Sequence, residues 1–296
     1  MNLEQYLKEN YSPTTLASNL YIINRFKSLV YAPEKASYQD VMDYIASLRE
    51  AGKHPKTIRN HLFAIKIYYR YLVAEGVRND HPCQFLFLQD KINRAVDVQS
   101  LYSMPQMEKF LESYNPNPKN QPTKQREKTV ISLLIYQALT VLEISQLNVK
   151  DLNLEKGTIR VKGNACLPAR QVKNNGRTLD LKPSQIMLLH NYLNKTRELL
   201  LKKNKTESEA LLIGNTGNRI LPHGISRTIN LGRKQTEKMK PLKIRQSVIA
   251  HLLKSGNDLR IVQVFAGHKR AAATEEYKQT GLEELKAAIQ KHHPLQ

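Results

Sequence analysis

Three stripes of apolar residues recur at helical spacing within the first eighty residues, and no strand-like alternation interrupts them. The first stripe follows Ser12-Pro13-Thr14-Thr15, a typical helix start, and the later two end near Gly52 and Gly76. The stripes predict a helical domain over residues 1–88. Its predicted core contains Leu16, Leu20, Ile23 and Phe26, then Val41, Ile45 and Leu48, then Ile58, Leu62, Ile65, Tyr69 and Leu72.

Residues 89–103 are polar and show no periodicity, which predicts an interdomain linker. Beyond the linker, residues 157–162 and 177–181 alternate apolar with charged positions and predict two short strands. We therefore predict a mainly α fold with a small β-sheet, in which residues 104–296 form a mixed α/β domain. Helical spacing predicts helices at 104–111, 130–139, 183–201, 223–238, 241–253, 258–265, 271–278 and 282–289, with a loop at 115–124.

The charge balance points to a polyanionic partner. The 296 residues include 46 Lys and Arg against 26 Asp and Glu, a formal net charge of +20. Surface charge of this size repels itself, and a polyanion relieves the repulsion by releasing condensed counterions. Nucleic acid is the first candidate and an anionic membrane the second. The longest apolar run, at 130–136, is too short to span a bilayer, so no membrane role is expected.

The third predicted helix carries a basic face opposite its apolar stripe. A solvated face and a face that contacts DNA phosphates explain such a pattern equally well. The candidate DNA-binding residues on this face are Lys56, Arg59, Lys66 and Arg70.

Other kinds of site have little support in the sequence. The two cysteines, Cys83 and Cys166, form neither a disulfide framework nor a CxxC pair, and there is no HExxH motif. The first residues lack the basic-then-apolar pattern of a secretion signal. We therefore expect a cytoplasmic protein without a metal.

The most specific pattern lies in the last sixty residues. Arg245 opens the segment Arg-Gln-Ser-Val-Ile-Ala-His-Leu-Leu, and Gly256 opens the segment Gly-Asn-Asp-Leu-Arg-Ile-Val-Gln. Ala-Gly-His ends at His268, and Tyr277 lies nine residues further on. Taken singly, Arg245 could be a surface cation, His268 a helix-capping residue and Tyr277 one of fourteen tyrosines. Their joint spacing favours a shared chemical role.

This segment resembles the C-terminal signature of the tyrosine recombinases, the family of the phage integrases and the Xer-type resolvases. That signature has an Arg-His-Ser-Phe-Ala-Thr-x-Leu-Leu helix, a Gly-x-Asp-Leu-x-x-Val-Gln helix, Leu-Gly-His and a following tyrosine. Segments 41–45, 57–62 and 68–72 also resemble the family's helical core-binding domain. The resemblance implies a core-binding domain at 1–88 and a catalytic domain at 104–296 that ends in a tail helix.

The resemblance implies a chemistry that needs no cofactor. The family's tyrosine attacks a DNA phosphodiester, which leaves a 3′-phosphotyrosyl link and a free 5′-hydroxyl that reverses the step. Two arginines stabilise the phosphate charge, a lysine protonates the leaving oxygen, and two histidine-class residues position or move protons. Matched residue by residue, Tyr277 is the nucleophile, Arg245 the second arginine and His268 the second histidine-class residue.

Other catalytic positions depart from the family pattern. Gln-Ala-Leu-Thr-Val-Leu-Glu matches Thr-Gly-Leu-Arg-x-x-Glu, which places Thr140 at the first arginine, whereas a rival register places Glu143 there. Leu242 stands at the first histidine. The lysine is Lys162 or Lys173. The hairpin around these lysines is basic, and two interpretations are open. Either the whole hairpin faces DNA, or one of its cations replaces the missing arginine. The cations are Arg160, Arg170, Lys173 and Arg177.

These observations predict a site-specific recombinase or integrase of a mobile element. It would act on double-stranded DNA as a homo-oligomer, by the family pattern a tetramer, alone or with other recombinases, and would be nucleoid-associated when bound. The two domains are expected to clamp DNA as a C, and the tail helix at 282–289 to dock on a neighbouring protomer. The alternative is a catalytically silent relative that binds a DNA site as an accessory protein or regulator. A basic helical DNA-binding protein of another kind leaves the spacing of Arg245, His268 and Tyr277 to chance.

Overall fold

The computed structural model describes residues 2–11, 13–90, 100–114, 122–163, 175–202 and 208–277. Contacts between Cα atoms divide the chain into two compact units, residues 1–94 and residues 95–296. Each unit has a hydrophobic core of its own. Within the described ranges, no helix is both long enough and apolar enough to cross a bilayer.

The first unit contains four helices and no strand among its described residues. Phe26 lies at its centre, where its ring packs edge-on against the rings of Tyr44 and Tyr69. Ser37 begins the third helix with a capping box, since its hydroxyl accepts from the Asp40 backbone N–H and Asp40 accepts from the Ser37 N–H. The helices are α1 (Leu3–Asn10), α2 (Pro13–Leu29), α3 (Tyr38–Glu50) and α4 (Pro55–Ala74).

The second unit packs helices around a central, buried segment of α6, in which Ile131, Leu133 and Leu134 have no exposed surface. Its helices are α5 (Met104–Glu112), α6 (Pro122–Tyr136), α7 (Val141–Gln146), α8 (Pro183–Asn191), α9 (Glu198–Leu201), α10 (Pro222–Thr228), α11 (Pro241–Lys254), α12 (Leu259–Ala266) and α13 (Ala272–Glu275). A π-helical turn, Tyr192–Arg197, joins α8 to α9.

An antiparallel sheet completes the second unit, with strands in the order β1 (Leu152–Asn153), β2 (Thr158–Val161) and β3 (Arg177–Asp180). Leu179 pairs with Ile159, and Arg177 pairs with Val161 at the end of the ladder. Because side chains alternate along a strand, Arg177 and Leu179 share one face, and both are buried there. The predicted fold class, mainly α with a small β-sheet, is confirmed.

The structure differs from the sequence prediction at three places. The helix expected at 223–238 is wrong, because α10 ends at Thr228 and Gly232 adopts a left-handed φ of +75°. Helix α6 begins at Pro122, within the expected loop, because burial of Arg126 and Glu127 extends the packed face beyond its apolar residues. Strand β1 escaped the sequence pattern because two residues are too few to show an alternation. The predicted tail helix at 282–289 lies outside the described residues.

Candidate active site

The turn between α6 and α7 organises the site. Ala138 adopts a left-handed φ of +49°, a conformation that favours glycine, and it stands where the family motif has glycine. This backbone geometry favours the register that places Thr140, rather than Glu143, at the first arginine position. Thr140 instead caps α7, because its hydroxyl accepts from the Glu143 N–H while its own N–H donates to the Glu143 carboxylate at 2.8 Å.

Glu143 is the centre of a buried charge cluster. Arg177 Nη1 lies 2.6 Å from Glu143 Oε1, and Arg245 Nη1 lies 4.0 Å from Oε2. Burial alone would raise the pKa of Glu143, but the hydrogen bond and charge of Arg177, the Thr140 N–H and the charge of Arg245 hold it below its ordinary value. The carboxylate therefore stays ionised and orients two guanidinium groups at once.

Arg245 projects from the first turns of α11 and is held by carbonyl groups of two other segments. Its Nη1 donates to the Ala138 carbonyl oxygen, and its Nη2 donates to the Ala266 carbonyl oxygen at 2.6 Å. The guanidinium thus ties the α6–α7 turn to the end of α12. A lysine could not replace it, since one ammonium group does not present donors in such a planar fork.

Gly267 lets Arg177 reach this cluster from the sheet. Gly267 ends α12 with a left-handed φ of +69°, and a Cβ atom there would collide with the Arg177 guanidinium. The Asn175 N–H donates to the Gly267 carbonyl oxygen at 2.9 Å, which joins the start of β3 to the same turn. The glycine of the Ala-Gly-His motif is therefore required both by the backbone and by the packing of Arg177.

His268 follows directly and is positioned by Thr274 of α13. Its Nδ1 lies 2.9 Å from the Thr274 hydroxyl, and Thr274 is fully buried. Burial, together with the charges of Arg245 and Arg177, lowers the pKa of His268 to about 4, against a partial opposing effect of Glu143. The ring is therefore uncharged at neutral pH, and Nε2 is the nitrogen that can serve a substrate.

Tyr277 lies against this imidazole. The two rings are stacked with centroids 6.3 Å apart and planes inclined by 19°. Only 8% of Tyr277 is exposed, and burial raises the pKa of its hydroxyl, an effect that Glu276 reinforces and that Arg245 and a hydrogen bond with Gln246 partly offset. Arg245, His268 and Tyr277, separated by up to 32 positions in the sequence, are thus brought together in space.

A cavity of about 380 Å³ opens beside Arg245. It brings Thr140 and Leu242, the two positions substituted relative to the family, next to the guanidinium of Arg245. Both substitutions therefore affect the same space. The cavity is lined by Thr140, Val141, Ser226, Asn230, Lys240, Pro241, Leu242 and Arg245.

Of the two candidate lysines, the structure describes Lys162 and does not bring it into this cluster. Lys162 follows β2, is about half exposed, and pairs through its Nζ with the buried Asp151 Oδ1 at 3.3 Å. The ammonium group of Lys162 is therefore paired with the short turn that precedes β1. Lys173 and Arg170 lie outside the described residues. Arg160 is exposed on β2, whereas Arg177 is buried in the cluster with Glu143.

Lys66 does not lie on the exposed basic face expected for α4. Its side chain is buried, its Nζ donates to the Gln84 carbonyl oxygen at 2.9 Å, and it lies 4.4 Å from the centre of the Phe87 ring. Arg59 is partly buried and donates to two carbonyl groups, those of Leu88 and Asp90.

These two cations fasten the segment that follows α4, because desolvated cations need hydrogen-bond acceptors from the protein itself. Burial accordingly lowers the pKa of Lys66. Lys56 and Arg70 remain exposed and are the members of the set that a phosphate could reach. In the part of the chain that the structure describes, no group of three or more His, Cys, Asp or Glu side chains could hold a metal ion.

Comparison with known proteins identifies the family. Residues 103–283 match the model of the phage integrase family, and residues 2–78 match the phage integrase N-terminal SAM-like domain. The chain belongs to the phage integrase family of tyrosine recombinases. The tyrosine recombinase XerD of Oceanobacillus iheyensis is 28% identical over 264 residues, which cover 88% of this chain and 84% of that protein.

Solved structures of the family share the fold. The XerH site-specific recombinase bound to palindromic difH substrate matches with a TM-score of 0.69 and 19% identity, over 97% of this chain and 84% of that one. The Tn1549 transposon integrase in complex with transposon right end DNA matches with a TM-score of 0.67 and 15% identity, over 96% of each chain. The family membership predicted from the C-terminal motif is confirmed.

Three residues of the site have no role in the sequence prediction. Glu143 enters it as the match to the family's glutamate in one register and as the arginine position in the rival register, and Arg177 enters it as one of several hairpin cations. The signal for Glu143 was its position three residues after Thr140, the spacing of a capping box. Thr274 carried no local signal, because its contact with His268 depends on how α12 and α13 pack.

Proposed function

We propose that this protein is a site-specific DNA recombinase that cuts and rejoins double-stranded DNA through a 3′-phosphotyrosyl intermediate. The observation that supports this most is the convergence of Arg245, His268 and Tyr277 on one cluster, with Arg245 next to a cavity open to substrate. In this proposal Tyr277 supplies the nucleophile, Arg245 the phosphate-binding guanidinium and His268 the uncharged imidazole.

The proposed step balances without a cofactor. The Tyr277 oxygen forms a bond to phosphorus as the bond from phosphorus to the 5′-oxygen breaks, while the phenol gives its proton to a solvent water and the 5′-oxygen takes a proton from solvent. Arg245 stabilises the charge that develops on the non-bridging oxygens, and its held geometry avoids reorganisation during the reaction. His268 is uncharged at neutral pH and donates from Nε2 to the phosphate. Attack by a 5′-hydroxyl reverses the step and rejoins a strand.

DNA binding by this chain is supported by its net charge of +20 and by family members whose structures hold DNA. We propose that residues 1–88 and 104–296, joined by a linker at 89–103, clamp the duplex, and that Lys56 and Arg70 contact phosphates. Affinity should then fall steeply with salt, because each neutralised phosphate releases counterions. A dissociation constant that is constant between low and physiological salt would count against DNA as the partner.

Assembly and context belong to the same proposal. We propose a homo-oligomer on DNA, by the family pattern a tetramer that can include other recombinases, in the service of a mobile element. The genes and repeats that flank the coding sequence test the context, and light scattering of the DNA complex tests the stoichiometry.

A second candidate function is a catalytically silent DNA-binding relative. The specific observation in its favour is that Thr140 and Leu242 place an uncharged hydroxyl and an apolar side chain where the family has cationic and protonatable groups. Such a protein would bind its site, as an accessory protein or regulator, without forming a covalent link.

Covalent adduct formation separates the two candidates. The full chain is incubated with a nicked suicide substrate built on the repeats that flank its element, and the products are resolved under denaturing conditions. An adduct that is lost in Tyr277→Phe supports the recombinase. Binding to the same DNA with no adduct, at every site that the chain binds specifically, favours the silent relative.

A further inference from the structure

The cavity beside Arg245 contains a second cation in its lining. Lys240 lies immediately before α11 and lines the same space as Arg245, Thr140 and Leu242. None of the eight lining residues is acidic, and the buried Glu143 that lies 4.0 Å from Arg245 is paired with Arg177, so the lining keeps an excess of positive charge. A cavity of about 380 Å³ with this charge is suited to an anion of the size of a phosphodiester group.

The position of Lys240 is unfavourable for the helix that it precedes. It is the N-cap residue of α11 and makes no capping hydrogen bond with its side chain, whereas a Ser, Thr, Asp or Asn would make one. The first turn also holds Lys243 and has no acidic residue, although the start of a helix favours negative charge. Helix stability therefore does not explain this lysine, and residues that break a local rule of this kind concentrate at functional sites.

The family's first arginine position, occupied here by Thr140, lacks a positive charge, and this absence suggests a role for Lys240. Thr140 is engaged in the capping box with Glu143 and brings no charge to the cavity. Arg177 is not a cavity-lining residue, because its guanidinium is 2% exposed and paired with Glu143 beneath the surface. Lys240 is exposed, lines the same cavity as Arg245, and has a flexible four-carbon side chain.

We propose that Lys240 is a catalytic residue that contacts the scissile phosphate and supplies the second positive charge that the Thr140 position lacks. This inference rests on the proposed function, because it assumes that the cavity receives a phosphodiester. Lys240 would stabilise a non-bridging oxygen as a point charge, while Arg245 binds with its planar fork. It would take no proton and form no covalent bond in the step.

The test compares Lys240→Met with Lys238→Met in the full chain. Both variants remove one exposed lysine and keep a long side chain, but Lys238 does not line the cavity. With DNA at saturating concentration, we expect Lys240→Met to slow adduct formation by on the order of 10²-fold and Lys238→Met to leave it within about threefold. Adding Thr140→Arg to Lys240→Met should restore much of the lost rate.

A second substrate keeps the test independent of how much variant protein folds. Replacing one non-bridging oxygen of the scissile phosphate by a methyl group removes the charge that Lys240 would stabilise. The ratio of rates on the charged and the neutral substrate is internal to each preparation. We expect this ratio to fall in Lys240→Met and to be unchanged in Lys238→Met.

The outcomes distinguish the inference from the function on which it rests. An adduct from the wild-type chain, with equal rates and equal ratios in the two methionine variants, overturns the role of Lys240 and leaves the recombinase standing. No adduct from the wild-type chain overturns both. A selective loss in Lys240→Met that is restored by Thr140→Arg supports the role.

Discussion

Arg177 Nη1 lies 2.6 Å from Glu143 Oε1, and the side chains of both residues are 2% exposed. This pair connects the first residue of β3 to the first turn of α7, two elements separated by more than thirty positions in the sequence. The same carboxylate lies 4.0 Å from Arg245, so the ion pair also fixes the guanidinium that borders the cavity. The small sheet thereby acts as a support for the site.

Breaking this pair should be costly. We expect Glu143→Gln to lower the free energy of unfolding by about 3–5 kcal/mol, because it leaves two buried guanidinium groups without a counter-charge. Adding Arg177→Met should cost less than the sum of the single changes, since the second substitution removes one of the unpaired charges. Urea unfolding of the single and double variants measures this coupling.

The exposed pair of Lys150 and Glu209, with Nζ 3.1 Å from Oε2, provides the control. Glu209→Gln should change the same free energy by no more than about 1 kcal/mol, because solvent screens both charges. Equal changes in the free energy of unfolding for Glu143→Gln and Glu209→Gln would show that the buried pair stabilises the fold no more than the exposed pair does.

Removing the Tyr277 hydroxyl should separate cleavage from binding. We expect Tyr277→Phe to abolish the covalent adduct and to leave the dissociation constant for DNA unchanged, because only the attacking oxygen is lost. Tyr38→Phe, which alters a half-exposed tyrosine of the first unit, should retain full activity. An adduct of undiminished yield from Tyr277→Phe would reassign the nucleophile.

Arg245 should be the most sensitive cation of the site. We expect Arg245→Lys to reduce the rate of adduct formation by on the order of 10²–10³, because an ammonium keeps the charge but cannot hold the Ala138 and Ala266 carbonyl groups while it binds phosphate. Arg260→Lys, an exposed change on α12, serves as the control and should be neutral. Similar rates for the two variants would place the reaction elsewhere.

The partly buried imidazole of His268 should make stability depend on pH. The pKa of His268 is about 4 in the folded chain against 6.5 for an ordinary histidine, so below pH 6.5 the unfolded chain binds a proton that the folded chain refuses. Stability from this source is fully present above pH 6.5 and is lost as the pH falls towards 4. Between pH 7.5 and 4.5, the wild type should lose about 2–3 kcal/mol more than His268→Gln in urea unfolding. Parallel pH profiles for the two proteins would contradict the buried state of this ring.

The sequence predicted the elements whose signals are local. The apolar stripes of α3 and α4 and the Gly76 stop agree with the structure because period and termination are both encoded within a few residues. The spacing of Arg245, His268 and Tyr277 predicted their assembly through a family pattern. By contrast, the burial of Lys66 depends on a carbonyl group eighteen residues away, and no local sequence pattern predicts this contact.

The substituted positions show the same limit. Sequence alignment identified Thr140 and Leu242 as departures but left open which register applied and what fills the space. The left-handed backbone of Ala138 favours the register that uses Thr140, and the cavity places both substituted positions beside Arg245, because each feature depends on three-dimensional contacts between α6, α7 and α11. The cations of the expected basic hairpin do not share one environment, since Arg177 is buried whereas Arg160 is exposed to solvent.

The burial of Tyr277 has a consequence for the cell that carries this protein. A phenol that is 8% exposed and has a raised pKa presents little surface to DNA and keeps its proton at neutral pH. For an enzyme of the proposed kind, inactivity is then the default, and a lone molecule that slides along a chromosome leaves its strands intact. Breakage would be confined to complexes whose formation uncovers this side chain, which makes accuracy a property of assembly as well as of DNA sequence.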